Sequence, residues 1–250
     1  MRWCHVARLV EDVPKGELAA LMSRGLLRDE PQVDQFLGLS QVLGHTFRAA
    51  VRSGSFRRLG GEVLLPTSLR TTDGARIGVV ACHEMGVGRW DRHEFAGFSL
   101  EGEDDGDLWE EVERLPWERE ATPDPGSTLT GPLWSQHLLA HPERLPGLDL
   151  QTAERRVRAA LKVLARGGRA EERRLAPFWF EDRGRYRGWH YAAPLEVHGT
   201  HPLAAVLSPD SGGSLRVTTI LPRHEAYWNV ASTGRTPPSW LNLRTPGRAS

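Results

Sequence analysis

Residues 150–166 constrain the fold most, because they carry two opposite faces at helical spacing. Asp149 is suited to cap the start of a helix here, and Gly167 is suited to end it. At 100° per residue, one stripe is apolar and the nearly opposite stripe is cationic. The apolar stripe is Leu150, Ala153, Val157, Leu161 and Leu164, and the cationic stripe is Arg155, Arg158, Lys162 and Arg166. The pattern predicts a helix that packs on one side and presents positive charge on the other.

Runs typical of β-strands occur in two groups, one before and one after this helix. The first group is EVLLPTSLRT, ARIGVVACHE and HEFAGFSL, which predicts a three-stranded antiparallel unit after N-terminal helices at residues 16–56. The second group is HYAAPLEV, PLAAVLSP and SLRVTTIL, which predicts further antiparallel strands closed by a C-terminal helix from Pro222. Because strands and helices do not alternate regularly, we expect an α+β fold.

A stretch rich in Pro, Gly, Ser and Thr, ATPDPGSTLTGP at residues 121–132, predicts a connector. It would separate an N-terminal region of helices and strands, residues 1–120, from a C-terminal helix and strand region, residues 133–250. We expect the two regions to form one compact unit.

The residues around the start of this connector are acidic, since residues 101–125 contain eleven carboxylates against Arg114 and Arg119. Within them, DLWEEVERL has apolar residues near helical spacing and predicts a short helix. The side chains expected to turn inward are Leu108, Trp109, Val112 and Leu115.

Composition excludes a strong long-range attraction to nucleic acid or to anionic membranes. The 250 residues include 32 basic and 32 acidic side chains, so a charged partner would have to meet a local patch. Cys4 and Cys82 are too few for a disulfide scaffold, which favours a reducing cytoplasm. The N-terminus lacks the apolar core of a signal peptide, and no run of about 18 apolar residues occurs. We expect a cytoplasmic protein that does not bind membranes.

Patterns for metal, cofactor and nucleophile chemistry are weak. The pairs Cys4-His5 and Cys82-His83 lack the spacing of structural zinc ligands, and no phosphate-binding loop, nucleophile elbow or H-E-x-x-H motif occurs. The stretch His-Gly-Thr-His at residues 198–201 would need a second H-x-T motif to indicate a phosphoesterase. We therefore predict no metal site and no cofactor.

The C-terminal half has a local excess of positive charge. Residues 151–190 contain eleven basic and five acidic residues, together with aromatic residues. Arginines interleaved with aromatics are suited to phosphate contact and base stacking, whereas the alternative is a solvated helix face beside a hydrophobic core. The aromatics are Phe178, Trp179, Phe180, Tyr186 and Trp189.

A winged helix is a further alternative for the N-terminal helices and the hairpin that follows them. Helices packed beside a sheet would give the same pattern of apolar residues. The charge for groove binding would come from Arg48, Arg52, Arg57 and Arg58.

The closing stretch TTILPRHEAYWNVASTGRTPPSWL, residues 218–241, concentrates polar and aromatic side chains. On a helix from Pro222, residues three or four apart share a face. Ala226, Tyr227 and Val230 form the expected core face, and the pairs expected to face a cleft are His224 with Trp228, and Glu225 with Asn229.

Several short motifs occur in a recognisable order along the chain. They are Phe95-Ala96-Gly97-Phe98, Leu115-Pro116, His-Leu-Leu at 137–139, Arg144-Leu145-Pro146, Thr219-Ile220-Leu221, Ala226-Tyr227-Trp228-Asn229 and Trp240-Leu241. Over about residues 32–241 the chain thereby resembles a mainly bacterial family, domain of unknown function 3825. The family has no proven activity and often occurs beside cold-shock or other predicted RNA-binding modules, so the resemblance implies a link to RNA metabolism.

The chain departs from the family pattern at three places. Members tend to have N-T-G-L where this chain has the sequence PTSL at residues 66–69. They tend to have an acidic residue where His224 stands and an arginine where Ala231 stands. These departures imply either altered chemistry or a conserved scaffold without the family's site.

These patterns predict a protein that binds RNA or a nucleotide-containing ligand through the cationic stripe. The side chains expected near the pocket are His224, Tyr227 and Asn229. The alternative of a nucleotide or phosphoester hydrolase or transferase would use His224, His198 or Glu225 as acid or base. A third alternative is an adaptor, whose acidic segment at residues 101–120 would dock on the basic helix of a second copy.

Overall fold

The chain divides into two compact units at Ala121. The first unit is Met1–Ala121 with Ser232–Arg235, and the second is Thr122–Ala231 with Thr236–Ser250. The computed structural model describes residues 35–70, 75–84, 92–102, 109–110, 112–123, 129–130, 149–166, 174–182, 186–197, 201–210 and 214–241.

In the first unit, a long helix lies beside a four-stranded antiparallel sheet whose strand order is β1-β2-β3-β4. Helix α1 packs on β2, which is buried from Val63 to Leu69. The buried α1 side chains Val42, Leu43 and Phe47 recur at helical spacing. The elements are α1 (Gln35–Ser53), β1 (Arg57–Leu59), β2 (Glu62–Arg70), β3 (Arg76–Glu84), β4 (Arg92–Leu100) and α2 (Pro116–Arg119).

Trp109 packs on the face of this sheet that carries Leu64 and Val80. Its indole ring lies over Gly78 and Leu64, and its Nε1 donates a hydrogen bond to Ser99 Oγ at 2.8 Å. The Arg76 guanidinium lies 5.1 Å from the ring centroid and binds Glu101 at 2.9 and 2.6 Å. This hydrogen-bonded ion pair raises the pKa of Arg76 and lowers the pKa of Glu101.

A second close approach in this unit joins β2 to the returning segment Ser232–Arg235. Gly234 has φ +72°, and a side chain there would place its Cβ 2.9 Å from the carbonyl oxygen of Ser68. Only glycine therefore fits this position without strain. The neighbouring side chains of Ser232 and Thr233 are buried.

The second unit contains a five-stranded sheet in the order β5-β9-β8-β7-β6. All neighbours are antiparallel except β5 and β9, which are parallel. The elements are β5 (Leu129–Thr130), α3 (Leu150–Arg166), β6 (Ala176–Asp182), β7 (Tyr186–Val197), β8 (His201–Pro209), β9 (Leu215–Pro222) and α4 (Arg223–Ala231), followed by a 3₁₀ turn at Ser239–Leu241.

Helix α3 packs its apolar stripe on one face of this sheet. The stripe joins one core with alternate residues of β7, which are Tyr191, Ala193 and Leu195. Asp149 Oδ1 accepts a hydrogen bond from the Thr152 backbone N–H at 2.9 Å, which caps the helix and lowers the pKa of the carboxyl. The predicted cap is confirmed, and the described stripe residues Ala153, Val157, Leu161 and Leu164 are buried.

Helix α4 covers the opposite face of the same sheet. It packs against β6, β8 and β9. Side chains of these strands that alternate away from the α3 core, such as Phe178, Ala204 and Val206, are buried as well. The predicted helix begins at Arg223, because Pro222 still ends β9. The two faces of this sheet thus carry one helix each.

The predicted α+β class is confirmed, and the strand counts are higher than predicted. Strand β1 holds one apolar residue, Leu59, which is too short a pattern to detect from sequence. Strand β6 was missed because Pro177 directly precedes its aromatic run, and proline is unfavourable inside a strand. The predicted helical residues 16–34 lie outside the described part of the chain. None of the described helices is both long and apolar enough to span a bilayer.

The acidic stretch DLWEEVERL shows a mixed outcome. Trp109, Val112 and Leu115 are buried as predicted, but residues 112–115 are not helical. The helix in this region is α2, where a proline occupies the first position and Glu118 accepts the Leu115 backbone N–H at 2.9 Å. Leu108 lies outside the described residues.

Gly78→Ala should destabilise the first unit, because the added Cβ would lie 2.5 Å from Leu64 Cδ1 and 3.0 Å from Trp109 Cζ2. Overpacking of this kind costs about 1–3 kcal/mol in the free energy of unfolding. Urea unfolding followed by tryptophan fluorescence measures the loss. Gly97→Ala on the adjacent strand is the matched control, since its Cβ would meet nothing within 4 Å. Equal stability of the two variants would contradict the close packing of Trp109 on Gly78.

Candidate nucleic-acid interface

The outer face of α3 carries a narrow stripe of four cations. Arg155, Arg158, Lys162 and Arg166 are all exposed. At 100° per residue they fall within about 80° of one another, and a rise of about 1.5 Å per residue spreads them over about 16 Å. The opposite side of the helix is held in the core, so the stripe is presented by a fixed element. We call these four residues the cationic stripe.

The charge of the stripe is partly balanced within the helix. Arg158 Nη2 forms an ion pair with Glu154 Oε1, one turn earlier on α3. Residues 150–166 contain five basic residues against this single acidic one. Arg166 lies in the last turn, where a positive charge interacts favourably with the helix dipole. The helix therefore keeps a clear excess of positive charge.

The candidates on α4 differ sharply in exposure. Tyr227 is 5% exposed and lies edge-on to Trp228 with the ring centroids 5.0 Å apart. His224 is exposed whereas Trp228 is 4% exposed, so this predicted pair does not share one environment. Glu225 and Asn229 are half-buried. Tyr227 and Trp228 therefore contribute to packing.

The cationic stripe and the α4 candidates do not border one cleft. Helix α3 covers one face of the five-stranded sheet, and α4 covers the other. The stripe points away from the sheet, because the opposite side of α3 is buried against it. A single pocket that combines Arg155 with Tyr227 or Asn229 is therefore not formed within this unit.

The candidate acid or base His198 and the two Cys-His pairs add no support for a catalytic or metal site. His198 lies outside the described residues, as do Cys4 and His5. Cys82 is exposed on β3. Within the described ranges, no group of three or more His, Cys, Asp or Glu side chains is arranged to hold a metal ion.

The aromatic residues that follow the basic helix in sequence are used mainly for packing. Trp179 is fully buried and meets Trp189 edge-on at 5.8 Å between ring centroids. Phe178 is also buried, and Phe180 is 36% exposed on the sheet face away from α3. The side chain of Tyr186 lies outside the described part of the structure. Among the described aromatics, none stands beside the cationic stripe on the outer face of α3.

Three described carboxylates of the first unit pair with neighbouring arginines. Arg76 binds Glu101, and Arg119 binds Glu113 at 2.7 Å. Glu118 accepts from Arg70 at 2.5 Å. These internal pairs reduce the charge that the predicted acidic segment could offer to the basic helix of a second copy.

Comparisons with protein-family models, curated proteins and solved structures gave no match. The resemblance to domain of unknown function 3825 stays a prediction. Among the described candidate residues, the cationic stripe is the group whose members lie together on one exposed surface.

One titratable group was not anticipated from the sequence. His190 is only 5% exposed, with its ring 6.0 Å from Phe178 and 5.2 Å from Phe180. Its Nδ1 lies 3.2 Å from the carbonyl oxygen of Gly188. Burial lowers the pKa of His190, and this contact offsets part of the effect. The two-residue period of a strand over HYAAPLEV could have indicated its position, since His190 shares a sheet face with Ala192.

The buried His190 should make the protein less stable in mild acid. Below pH 6.5, the ordinary pKa of histidine, His190 is protonated in the unfolded chain, whereas in the folded chain it is protonated only at lower pH. The free energy of unfolding should therefore fall as pH decreases from 8 to 5. In His190→Phe this fall should be smaller, as measured by urea unfolding at several pH values. His224→Asn removes an exposed histidine and is the control. The same pH slope in both variants and the parent would contradict the assignment.

Proposed function

We propose that this protein is a cytoplasmic RNA-binding protein whose α3 stripe holds the phosphate backbone of a single strand. The carrying observation is the exposed row Arg155, Arg158, Lys162 and Arg166 on a helix whose other side is buried. Guanidinium groups bind phosphate oxygens through two hydrogen bonds at once, and the ammonium adds a point charge. A row of such groups suits a chain of regularly spaced phosphates.

The rigid support of the stripe favours binding. Val157 and Leu161 are fully buried beneath it, so the helix backbone loses little further freedom when a ligand binds. The formal net charge of the whole chain is zero, so attraction comes from this local patch. At physiological salt such a patch acts over about 8 Å. Binding of this kind is of short range and strongly salt-dependent.

The resemblance to domain of unknown function 3825 points in the same direction. Members of that family often occur beside cold-shock or other predicted RNA-binding modules. The motifs that carry the resemblance include Ala226-Tyr227-Trp228-Asn229, whose central aromatics are buried. In the proposal these motifs hold the scaffold, and α3 supplies the binding surface.

Replacing Arg155 and Arg158 by Ala should weaken binding to a 15-nucleotide single-stranded RNA. Each neutralised phosphate contributes about −0.7 to the slope of log K against log salt, so the parent slope should be about −3 and the variant's shallower by about 1.4. Affinity at low salt should fall about tenfold or more. Fluorescence anisotropy across a salt series measures both quantities.

The matched control for this experiment removes two positive charges elsewhere. Arg58→Ala with Arg216→Ala replaces two exposed arginines, neither of which lies on α3. The control should bind RNA with nearly the parent affinity and slope. Equal losses in the two double variants would show that general charge, and not the stripe, holds the RNA.

Glu154→Gln should strengthen binding by about twofold, since a surface i, i+4 ion pair contributes about 0.3–0.5 kcal/mol that the ligand no longer has to break. The substitution releases Arg158 from its pair on α3. Glu196→Gln on β7 is the charge-matched control, because Glu196 is 90% exposed and 3.9 Å from Arg174. The same anisotropy titration decides, and a gain in both variants would argue against a specific role for Arg158.

A further inference from the structure

We infer that the α3 surface holds a nucleic-acid strand by its phosphates alone and does not read its bases or its sugars. This inference rests on the proposed function and extends its ligand class from RNA to single-stranded nucleic acid in general. The expected ligand is any single strand with at least three or four consecutive phosphates, whether RNA or DNA and whatever its sequence.

The described aromatic side chains near α3 lie in the core and not beside the cations. Single-strand binding with base stacking needs aromatic faces exposed beside the cations. Trp179, Trp189 and Tyr191 alternate toward the α3 side of the sheet, but they are 0%, 6% and 2% exposed. Phe180 is partly exposed on the opposite sheet face. Their rings stabilise the second unit and are not available to a strand lying along the stripe.

The exposed side chains that lie between the cations on α3 are apolar. Besides the four cations, the exposed residues of α3 are Gln151, Ala159, Val163 and Ala165. Ala159 and Val163 lie beside the middle of the stripe, and Val163 is 69% exposed. Neither carries a hydrogen-bonding side chain, whereas reading a base edge needs donors and acceptors at defined positions. Gln151 lies on the same side one turn before Arg155, outside the span of the four cations.

The same apolar side chains also bear on whether the sugar is recognised. Discrimination of RNA from DNA depends on contacts to the 2′-hydroxyl, which both donates and accepts hydrogen bonds. The alanine and valine that flank the stripe cannot form such contacts through their side chains. Arginine and lysine on phosphates fix the position of a strand without specifying its sequence. Among the described residues of α3, the exposed side chains between the cations thus add no donor or acceptor for selecting among strands, which favours contact with the backbone.

The test compares four 15-nucleotide ligands by fluorescence anisotropy with the full chain. They are oligo(U), oligo(dT), a mixed-sequence RNA designed without secondary structure, and an abasic phosphodiester strand. All four should bind with dissociation constants that agree within about threefold, and with the same salt slope, because the phosphate count is equal. The Arg155→Ala and Arg158→Ala double variant should lose affinity for all four by the same factor.

The outcomes separate the inference from the proposed function. A preference above about tenfold for base-bearing strands over the abasic strand would overturn the inference, since one stacked base contributes about that much. A similar preference for RNA over DNA would overturn it as well. In either case the proposed function would stand if the double variant still lost binding. If none of the four ligands bound, or if the double variant bound them as tightly as the parent, both the inference and the proposed function would be overturned.

Discussion

The burial of one side of α3 against the five-stranded sheet is the interaction on which the second unit and its proposed site depend. Val157, Leu161 and Leu164 join the same core as alternate residues of β7, β8 and β9. Each fully buried side chain of this type contributes about 1.5–3 kcal/mol. Because 3.6 residues complete a turn, the same packing that hides these residues turns Arg155, Arg158, Lys162 and Arg166 outward. Stability of the unit and display of positive charge thus follow from one periodic pattern.

The first unit uses charge in the opposite way. There, arginines and carboxylates face one another around an aromatic ring, as Arg76 does with Glu101 over Trp109. Arg70 and Glu118 form a further pair nearby. These paired charges help to fix the position of Trp109. Because each charge is neutralised by its neighbour, the pairs attract a distant charged partner only weakly. The chain as a whole is neutral, yet α3 lines up four exposed cations along one side.

The sequence predicted those features that repeat along one element. The α3 stripes, the Asp149 cap and the inward positions of Trp109, Val112 and Leu115 each need only local spacing. Features set by pairing between distant segments were missed. Trp228 was expected beside His224 because they lie one turn apart, but α4 is covered over a wide arc and both Tyr227 and Trp228 are buried. Likewise, the aromatics after α3 suggested base stacking, and strand pairing places Phe178, Trp179 and Trp189 in the core.

The tight fit of Gly234 against Ser68 bears on how this protein could be divided or inherited. Ser232–Arg235 completes the first unit from a position late in the chain. A fragment that stops at Ala121 lacks the turn whose backbone approaches β2, and it would leave the Ser68 edge of that strand open to solvent. The first unit is therefore discontinuous in the gene, so a single uninterrupted stretch of coding sequence does not carry it from one protein to another.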